Sequence, residues 1–405
     1  MKTLILKWFR VHYKRVINSI DFYPIIIAIM FLCAALLMVA LDYSEAGKDL
    51  KLDLKWMRLQ DPGTARSILS TIAAGIISLT VFSFSMVMIV LNQAASQMSN
   101  RVLDNLIGNR FQQVILGIYI GTIVYSLFLL SMIRDNDEGV YIPALSIYLL
   151  ICFTILDIFI FIYFLHYITR SVKYETIIHR IFEQTMKSMQ SSCGLDKLPE
   201  TASYVSPSHP LLAPSTGIFQ GFHKKNLLKI CKKENIILKF LHVEGSFLLE
   251  GTPLAYISLP VSTEVKNDLH ALILIHRGNE IDNTYYYGLR QLGEVAVKAL
   301  SPGINDPGTA IESLRAIAGL LFYRLKNFPD TTLTDEDGAV RIITTERTFD
   351  DLFNTVMLPI WDYGNKDRML KNEMLKILVQ FDQFGDYKSI KKLLQQVQNE
   401  SDFIT

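Results

Sequence analysis

One acidic residue stands inside an apolar run long enough to span a membrane. Asp157 lies well within Val140–Ile168, and no other Asp, Glu, Lys or Arg occurs in that run. A carboxylate near the centre of a bilayer costs about 2.5–3.5 kcal/mol on insertion scales, so it should face other helices or a cavity. An intramembrane acid is therefore a functional candidate. The competing interpretation is a protonated Asp hydrogen-bonded to a neighbouring Ser or Thr, and the sequence leaves both open.

A second pattern is a stripe along one helical face of an earlier apolar run. Residues separated by alternating steps of four and three lie on one face of an α-helix. The stripe consists of the residues at this spacing: Thr71, Gly75, Ser78, Phe82, Ser85, Ile89 and Asn92. Small and hydroxyl residues on such a face let transmembrane helices pack closely. The sharper hypothesis is that the stripe lines a hydrated path in an oligomer, with Phe82 and Ile89 as apolar constrictions.

Two further motifs could position helices or a ligand. Gly117 and Gly121 form a GxxxG motif, which permits close packing either within one subunit or between two. Between two later helices, Asp306 followed by Pro307 is typical of a helix start. Free backbone N–H groups there could hold an anion, and the alternative is a rigid corner capped by its own side chains. The residues of this loop are Ser301, Asn305, Asp306 and Thr309.

Catalytic and cofactor chemistry have little support in the sequence. The chain contains none of the motifs for nucleotide binding, zinc proteolysis, nucleophile elbows or kinases. Its cysteines, Cys33, Cys152, Cys193 and Cys231, have no metal-ligand spacing, and its histidines are scattered. The net charge of +1 gives no indication of nucleic-acid binding. We therefore expect no enzyme, no metal, no cofactor and no nucleic-acid partner.

The elements that carry these residues begin with apolar runs of membrane-spanning length. A span needs about 20 mostly apolar residues, because about 30 Å of hydrocarbon is covered at about 1.5 Å per residue. The sequence predicts four: Phe22–Leu41, Ser67–Leu91, Phe111–Ile133 and Val140–Ile168. The mean hydropathy of +0.27 over 405 residues fits a membrane module followed by a soluble one. The lipid bilayer is therefore a partner.

The distribution of basic residues predicts that both termini are cytoplasmic. Basic residues precede the first run, and Arg170, Lys173 and Arg180 follow the fourth, whereas the loop around Asp135 is acidic. The positive-inside rule places the basic segments in the cytoplasm. The first loop is a weak exception to this rule, because it is predicted to be outside the cytoplasm and yet also contains basic residues.

The second half of the chain reads as an α+β part. We expect a membrane module over residues 1–170, a helix and linker over 171–210, a small β module over 211–280 and a helical domain over 281–405. The strands around Gly245 and Gly251 resemble the barrel-sandwich modules of biotinyl and lipoyl carriers. No Met-Lys hairpin is present to carry such a cofactor. We expect a loop at Leu333–Asp337.

Several motifs resemble those of one family. The run Ala299–Ala310, ALSPGINDPGTA, is similar to the signature of a widespread bacterial predicted-membrane-protein family of unknown function. Arg290-Gln-Leu, Ala94–Arg101, Gly117–Thr122 and Gly245–Leu254 also fit it, in the same order. The resemblance implies a four-span inner-membrane protein with a cytoplasmic domain and no assigned activity.

The sequence thus leads to two hypotheses of function. The first is a homo-oligomeric channel or transporter of the bacterial inner membrane, gated by its cytoplasmic domain and handling a small ion or an anionic ligand. The alternative is a membrane-anchored sensor or scaffold without transport activity. The stripe favours the first hypothesis.

Overall fold

The structure, a computed structural model, describes residues 22–45, 61–97, 110–136, 139–171, 173–195, 209–276 and 284–401. The chain divides into two compact units, Met1–Lys173 and Tyr174–Thr405. They are called here the membrane unit and the C-terminal unit, and each is described by itself.

The membrane unit contains the four predicted spans. Its long helices are α1 (Phe22–Tyr43), α2 (Pro62–Gln97), α3 (Arg110–Met132) and α4 (Ala144–Ser171). Each is long and apolar enough to cross a bilayer, so the prediction of four apolar spans is confirmed. A short hairpin joins the third and fourth helices, and its strands are β1 (Arg134–Asn136) and β2 (Gly139–Tyr141).

Helix α2 starts at a capped turn and is longer than a bilayer. The Asp61 carboxylate accepts the backbone N–H of Thr64 at 2.7 Å, and Pro62 fills a first position that needs no N–H partner. With 36 residues, the helix is about 54 Å long at about 1.5 Å per residue. It therefore extends well beyond about 30 Å of hydrocarbon.

The core of the membrane unit comes from one side of α2 and from α1, α3 and α4. On α2 the buried side chains are those of Ala65, Leu69, Ala73, Ile76 and Ser83. Their spacing of three, four or seven residues defines one helical face. The opposite face of α2 is largely turned away from the other described spans, although its Phe82 contacts Phe161 of α4.

The C-terminal unit contains helices over most of its length. They are α5 (Tyr174–Ser192), α6 (Lys224–Lys233), α7 (Thr263–Leu272), α8 (Tyr285–Ala299), α9 (Pro307–Lys326), α10 (Phe349–Gly364), α11 (Arg368–Asp382) and α12 (Lys388–Ser401). Helix α8 packs on α5, α9 and α10, burying Leu289, Leu292 and Val295 at helical spacing. Gly288 lets it approach α5, because a Cβ there would overlap the hydroxyl of Thr185.

The strands of this unit form two sheets and a short pair. They are β3 (Cys193–Leu195), β4 (His209–Leu212), β5 (Gly217–Phe222), β6 (Leu238–Phe240), β7 (Phe247–Leu248), β8 (Pro253–Ile257), β9 (Ile273–His276), β10 (Phe328–Pro329), β11 (Thr332–Thr334) and β12 (Val340–Ile343). One sheet has the order β11-β12-β6-β8-β4 and the other has the order β7-β5-β9, while β10 pairs with β3. The pairing of β12 with β6 is parallel and the others are antiparallel.

The predicted barrel-sandwich module is not confirmed. Strand β6 pairs with β8 on one side, but its other neighbour is β12, about 100 residues further along the chain. Leu238, Ile257 and Ile342 therefore share one hydrophobic core. Strands from both sides of the predicted boundary at residue 280 lie in one sheet. The predicted loop at Leu333–Asp337 begins inside β11, so that prediction is wrong for its first two residues.

Candidate functional site

The predicted stripe on α2 lies on the side that the other described helices of the membrane unit leave largely uncovered. All of its residues are exposed in the single chain: Thr71, Gly75, Ser78, Phe82, Ser85, Ile89 and Asn92. A Cβ placed on Gly75 would meet no atom within 4 Å. Gly75 thus makes no packing contact with the described residues of the chain, and both hypotheses for the stripe require something that covers this face.

The hydroxyl groups of the stripe are bonded within their own helix. Ser78 Oγ donates to the carbonyl of Ala74 at 3.0 Å, and Ser85 Oγ donates to that of Val81 at 2.9 Å. Such bonds satisfy the donor of each hydroxyl and leave its oxygen as an acceptor. The stripe can therefore meet water, another helix or lipid without an unpaired hydroxyl proton.

The two large apolar side chains of the stripe project outward. Phe82 is 51% exposed and Ile89 is 63% exposed. The Phe82 ring also contacts the ring of Phe161 on α4, with centroids 5.8 Å apart in an edge-to-face arrangement. Phe82 is therefore supported from one side while its other side stays open.

Asp157 lies on α4 in the interior of the membrane unit, fully buried. Its nearest polar neighbours include Tyr119 and Thr122 on α3. Thr122 Oγ1 donates to the carbonyl of Ile118 at 3.1 Å, and neither oxygen of Asp157 has a hydrogen-bond partner of standard geometry among the described residues. Asp157 and the stripe lie on different surfaces, so the structure does not bring them together.

The glycine pair of α3 faces α1 of the same chain. A Cβ on Gly117 would lie 2.7 Å from Ile27 Cδ1, and a Cβ on Gly121 would lie 2.7 Å from the ring of Phe31. Only a hydrogen fits at these positions. Of the two alternatives for the motif, the contact here is within one subunit.

The loop before α9 is a corner closed by its own hydrogen bonds. Asp306 accepts the backbone N–H of Thr309 at 3.1 Å and its hydroxyl at 2.6 Å. Ser301 Oγ donates to the carbonyl of Lys298 at 2.6 Å, and Asn305 has a left-handed backbone with φ of 49°. The carboxylate thus occupies the helix end that an anion would otherwise use.

A polar cluster in the C-terminal unit has no counterpart among the sequence predictions. Tyr285 donates its hydroxyl to Glu346 Oε2 at 3.3 Å. Arg347 stacks on the ring of Tyr286, 3.7 Å from its centroid, and donates to the carbonyl of Glu244 at 3.3 Å. These residues surround a cavity of about 80 Å³. They come from three segments of the chain that are about 40 to 100 positions apart, so no local spacing could have indicated the cluster.

Burial governs the protonation of this cluster. It raises the pKa of Glu346, and it raises the pKa of Glu244 with the help of the neighbouring Glu346 carboxylate. Burial also raises the pKa of the Cys193 thiol to about 11, so the thiol is protonated at neutral pH and a poor nucleophile. The cavity is well below the roughly 300–1,000 Å³ of most ligand pockets. The cluster suits water or protons better than an organic substrate.

The part of the chain that the structure describes contains no cluster of metal-binding side chains. No three His, Cys, Asp or Glu side chains there converge as a metal site would require.

Comparison with known proteins identifies relatives among mycobacteria. The chain is 26% identical over 332 residues to the uncharacterized protein Rv1290c of Mycobacterium tuberculosis strain H37Rv and to the uncharacterized protein Mb1321c of Mycobacterium bovis. Each match covers 78% of this chain and 63% of the relative, so the chain spans less than two thirds of the length of these proteins. No solved structure matches the chain.

The family relationship is shown by a match over most of the chain. Residues 17–380 fit the family described as "Predicted membrane protein (DUF2254)". That range includes all four apolar helices and most of the C-terminal unit. The chain therefore belongs to this family of predicted membrane proteins.

Proposed function

We propose that the protein is a homo-oligomeric channel or transporter for small ions, in which α2 from each copy lines a shared path. The observation that carries the proposal is the outward direction of the whole stripe. A face that carries Thr71, Ser78, Ser85 and Asn92 is more polar than lipid tails, even though Ser78 and Ser85 donate within α2 and could tolerate lipid. Neighbouring copies of α2 would cover it and enclose water along it.

The small residues at one end of the stripe suit a close contact between copies. Thr71, Gly75 and Ser78 are one helical turn apart and leave a shallow surface, the kind of surface on which transmembrane helices approach closely. Toward the other end the stripe presents Phe82 and Ile89. In a ring of copies these two side chains would form apolar constrictions, and such constrictions close a pore by dewetting.

The C-terminal unit supplies the gating element in this proposal. Helix α5 begins at Tyr174, directly after α4 ends at Ser171, so movement of the C-terminal unit would pull on a span. The basic residues at the end of α4 support a cytoplasmic position for this unit, with both termini on the cytoplasmic side of the bacterial inner membrane. An alkaline phosphatase domain fused after Thr405 should be inactive in cells, and activity there would refute this orientation.

A non-transporting scaffold or sensor is the second candidate. Its support is that Ser78 and Ser85 satisfy their hydroxyl protons within α2. A partner helix could therefore cover the stripe without water. Neither candidate includes a catalytic step.

Ion flux from liposomes that contain the purified chain separates the two candidates. Replacing Phe82 with Ser should let water into one constriction. Liposomes that contain this variant should then leak small ions faster than liposomes that contain the wild type. The matched control is Ile77→Ser, because Ile77 is 46% exposed but lies about 100° around the helix from Ser78. Equal leakage from the two variants would refute the path, and so would no flux from wild type and Phe82→Ser at every voltage.

A further inference from the structure

A cavity lies between α2, α3 and α4, on the side of α2 opposite the stripe. Its volume is about 250 Å³, and almost all of its wall is apolar. The side chains of that wall include Phe84, Val87, Met88, Leu116 and Phe164. Phe84 and Met88 are more than half exposed, so the cavity opens at the surface of the membrane unit.

The polar residues of the wall do not make this cavity polar. Ser83, Gln113 and Tyr119 line it, but their side-chain oxygens are buried and have essentially no surface open to it. An apolar cavity of roughly 150 Å³ stays dry and takes an apolar guest, and this cavity is larger. Without a guest its lining would lose dispersion contacts. The cavity therefore suits an apolar chain better than water.

The position of the cavity decides which apolar molecule is at hand. Its lining comes mainly from residues 83–91 of α2 and residues 112–119 of α3, and both stretches belong to helices that are apolar enough to span a bilayer. Each stretch is about 10–12 Å long at about 1.5 Å per residue. The cavity thus follows the direction of the spans, which is also the direction of the acyl chains in a bilayer.

Two arginines lie at one end of the helices that enclose the cavity. Arg110 is three residues before Gln113, on the same face of α3. Arg170 is one turn beyond Tyr167 of α4, whose ring lies 4.4 Å from the ring of Phe111. Both arginines therefore lie at the same end of two adjacent spans. Both are exposed, and neither has an ion-pair partner among the described residues.

These arginines indicate the kind of lipid that would be held. Tyr and Arg at the ends of spans lie at the depth of the lipid headgroups, and arginine pairs with phosphate through two parallel hydrogen bonds. Basic groups beside a pocket between spans bind anionic headgroups. In phosphatidylcholine the positive choline offsets the phosphate, whereas phosphatidylglycerol keeps a net negative charge. The charge at this end of the spans therefore favours an anionic lipid.

We propose that this cavity binds one acyl chain of an anionic phospholipid. The chain lies against Val87, Leu116 and Phe164, and the phosphate lies at Arg110 and Arg170. The bound lipid fills the space between α2 and α3 that the side chains leave open. The site faces away from the stripe, so it does not depend on the proposed path.

The test is native mass spectrometry of the full chain in detergent, titrated with phosphatidylglycerol or with phosphatidylcholine of the same acyl chains. We expect one phosphatidylglycerol per chain to bind about 10-fold or more tightly than phosphatidylcholine. Arg110→Gln should reduce this preference by about 5-fold, the effect of one positive charge near a headgroup. The control is Arg66→Gln, which removes a charge near the opposite end of α2 and should leave the preference unchanged.

Filling the cavity tests the position of the acyl chain. Val87→Phe should weaken binding of phosphatidylglycerol by about 10-fold or more, because a phenyl ring and an acyl chain cannot share the same close-packed space. Val81→Phe is the matched control, since Val81 is on the same helix, 61% exposed and outside the cavity. Leu116→Phe, from the facing wall, keeps the test valid if Val87→Phe does not assemble.

Three results would overturn the proposal. Wild-type affinity for phosphatidylglycerol in a folded cavity variant would show that the acyl chain lies elsewhere. Equal affinity of the wild type for the two lipids would refute recognition of an anionic headgroup, and so would an unchanged preference in Arg110→Gln.

Discussion

Asp42 caps a helix to which it does not belong. The residue is in the last turn of α1, yet its carboxylate accepts the backbone N–H of Ser146 at 2.9 Å and the Ser146 hydroxyl at 2.5 Å, in the first turn of α4. It also accepts the N–H of Leu145 at 3.1 Å. Because Asp42 is only 1% exposed, this contact fixes two spans that are about 100 residues apart in sequence.

Removing this cap should destabilise the membrane unit. We expect Asp42→Ala to lower the free energy of unfolding by about 2 kcal/mol or more, because it leaves buried donors unpaired at a helix N-terminus. Asp42→Asn keeps one acceptor oxygen and should lower the free energy of unfolding by a smaller amount. Thermal unfolding of the purified chain in detergent measures both. Glu45→Ala is the control, since Glu45 is exposed near the same helix end, and an equal effect there would contradict the capping role.

Two glycines should respond in opposite ways. Gly121→Ala places a Cβ against the ring of Phe31, and overpacking of this kind costs about 1–3 kcal/mol. Gly75→Leu meets open space among the described residues of one chain, so it should leave the fold intact but block close contact between copies. Unfolding and mass measurements in nanodiscs distinguish these effects. If Gly75→Leu assembles as the wild type does, the proposed interface at Gly75 is wrong.

The side chains of the corner before α9 should contribute mainly to the stability of the fold. Asp306→Ala removes the acceptor for both groups of Thr309 and should cost about 0.5–2 kcal/mol. Asp306→Asn retains an acceptor and should cost less. Denaturant unfolding of the full chain measures whether Asp306→Ala loses more stability than Asp306→Asn. If Asp306→Ala keeps full stability yet abolishes ion flux, the result would contradict the capping role and support an anion site at this loop.

The Glu346 cluster should make the stability of the C-terminal unit depend on pH. Burial raises the pKa of Glu346, so between the ordinary glutamate pKa and the raised value the native state binds more protons than the unfolded state. Stability then falls as pH rises through that window. Glu346→Gln imitates the protonated form, and it should gain stability relative to wild type on going from about pH 5 to about pH 8.

Fluorescence of Trp361 can follow this unit alone. Trp361 is buried in α10, and replacing Trp8 and Trp56 by Phe leaves it as the one tryptophan of the sequence. Exposed Glu250 supplies the control, because Glu250→Gln should show no such divergence with pH. Parallel pH profiles for wild type and Glu346→Gln would contradict the raised pKa.

Local patterns in the sequence predicted the four spans and the start of α9. Apolar runs indicated the four spans, and steps of three or four residues placed the stripe residues on one face of α2. Apolar length and helical spacing act over a few neighbouring residues, so they are readable without the fold. Asp306 followed by Pro307 indicated the start of α9 for the same reason, since a cap bonds within one turn.

The tertiary structure decided which elements meet. No pattern in the sequence indicates that Asp42 reaches α4 or that Glu244, Tyr285 and Glu346 converge. Nor does any pattern indicate that β12 pairs with β6 in an open sheet. The GxxxG motif showed that α3 could be approached closely, and only the fold showed that α1 does so. Such contacts join positions far apart in the chain, and their partners are set by how buried surfaces fit together, which no fixed spacing in the sequence records.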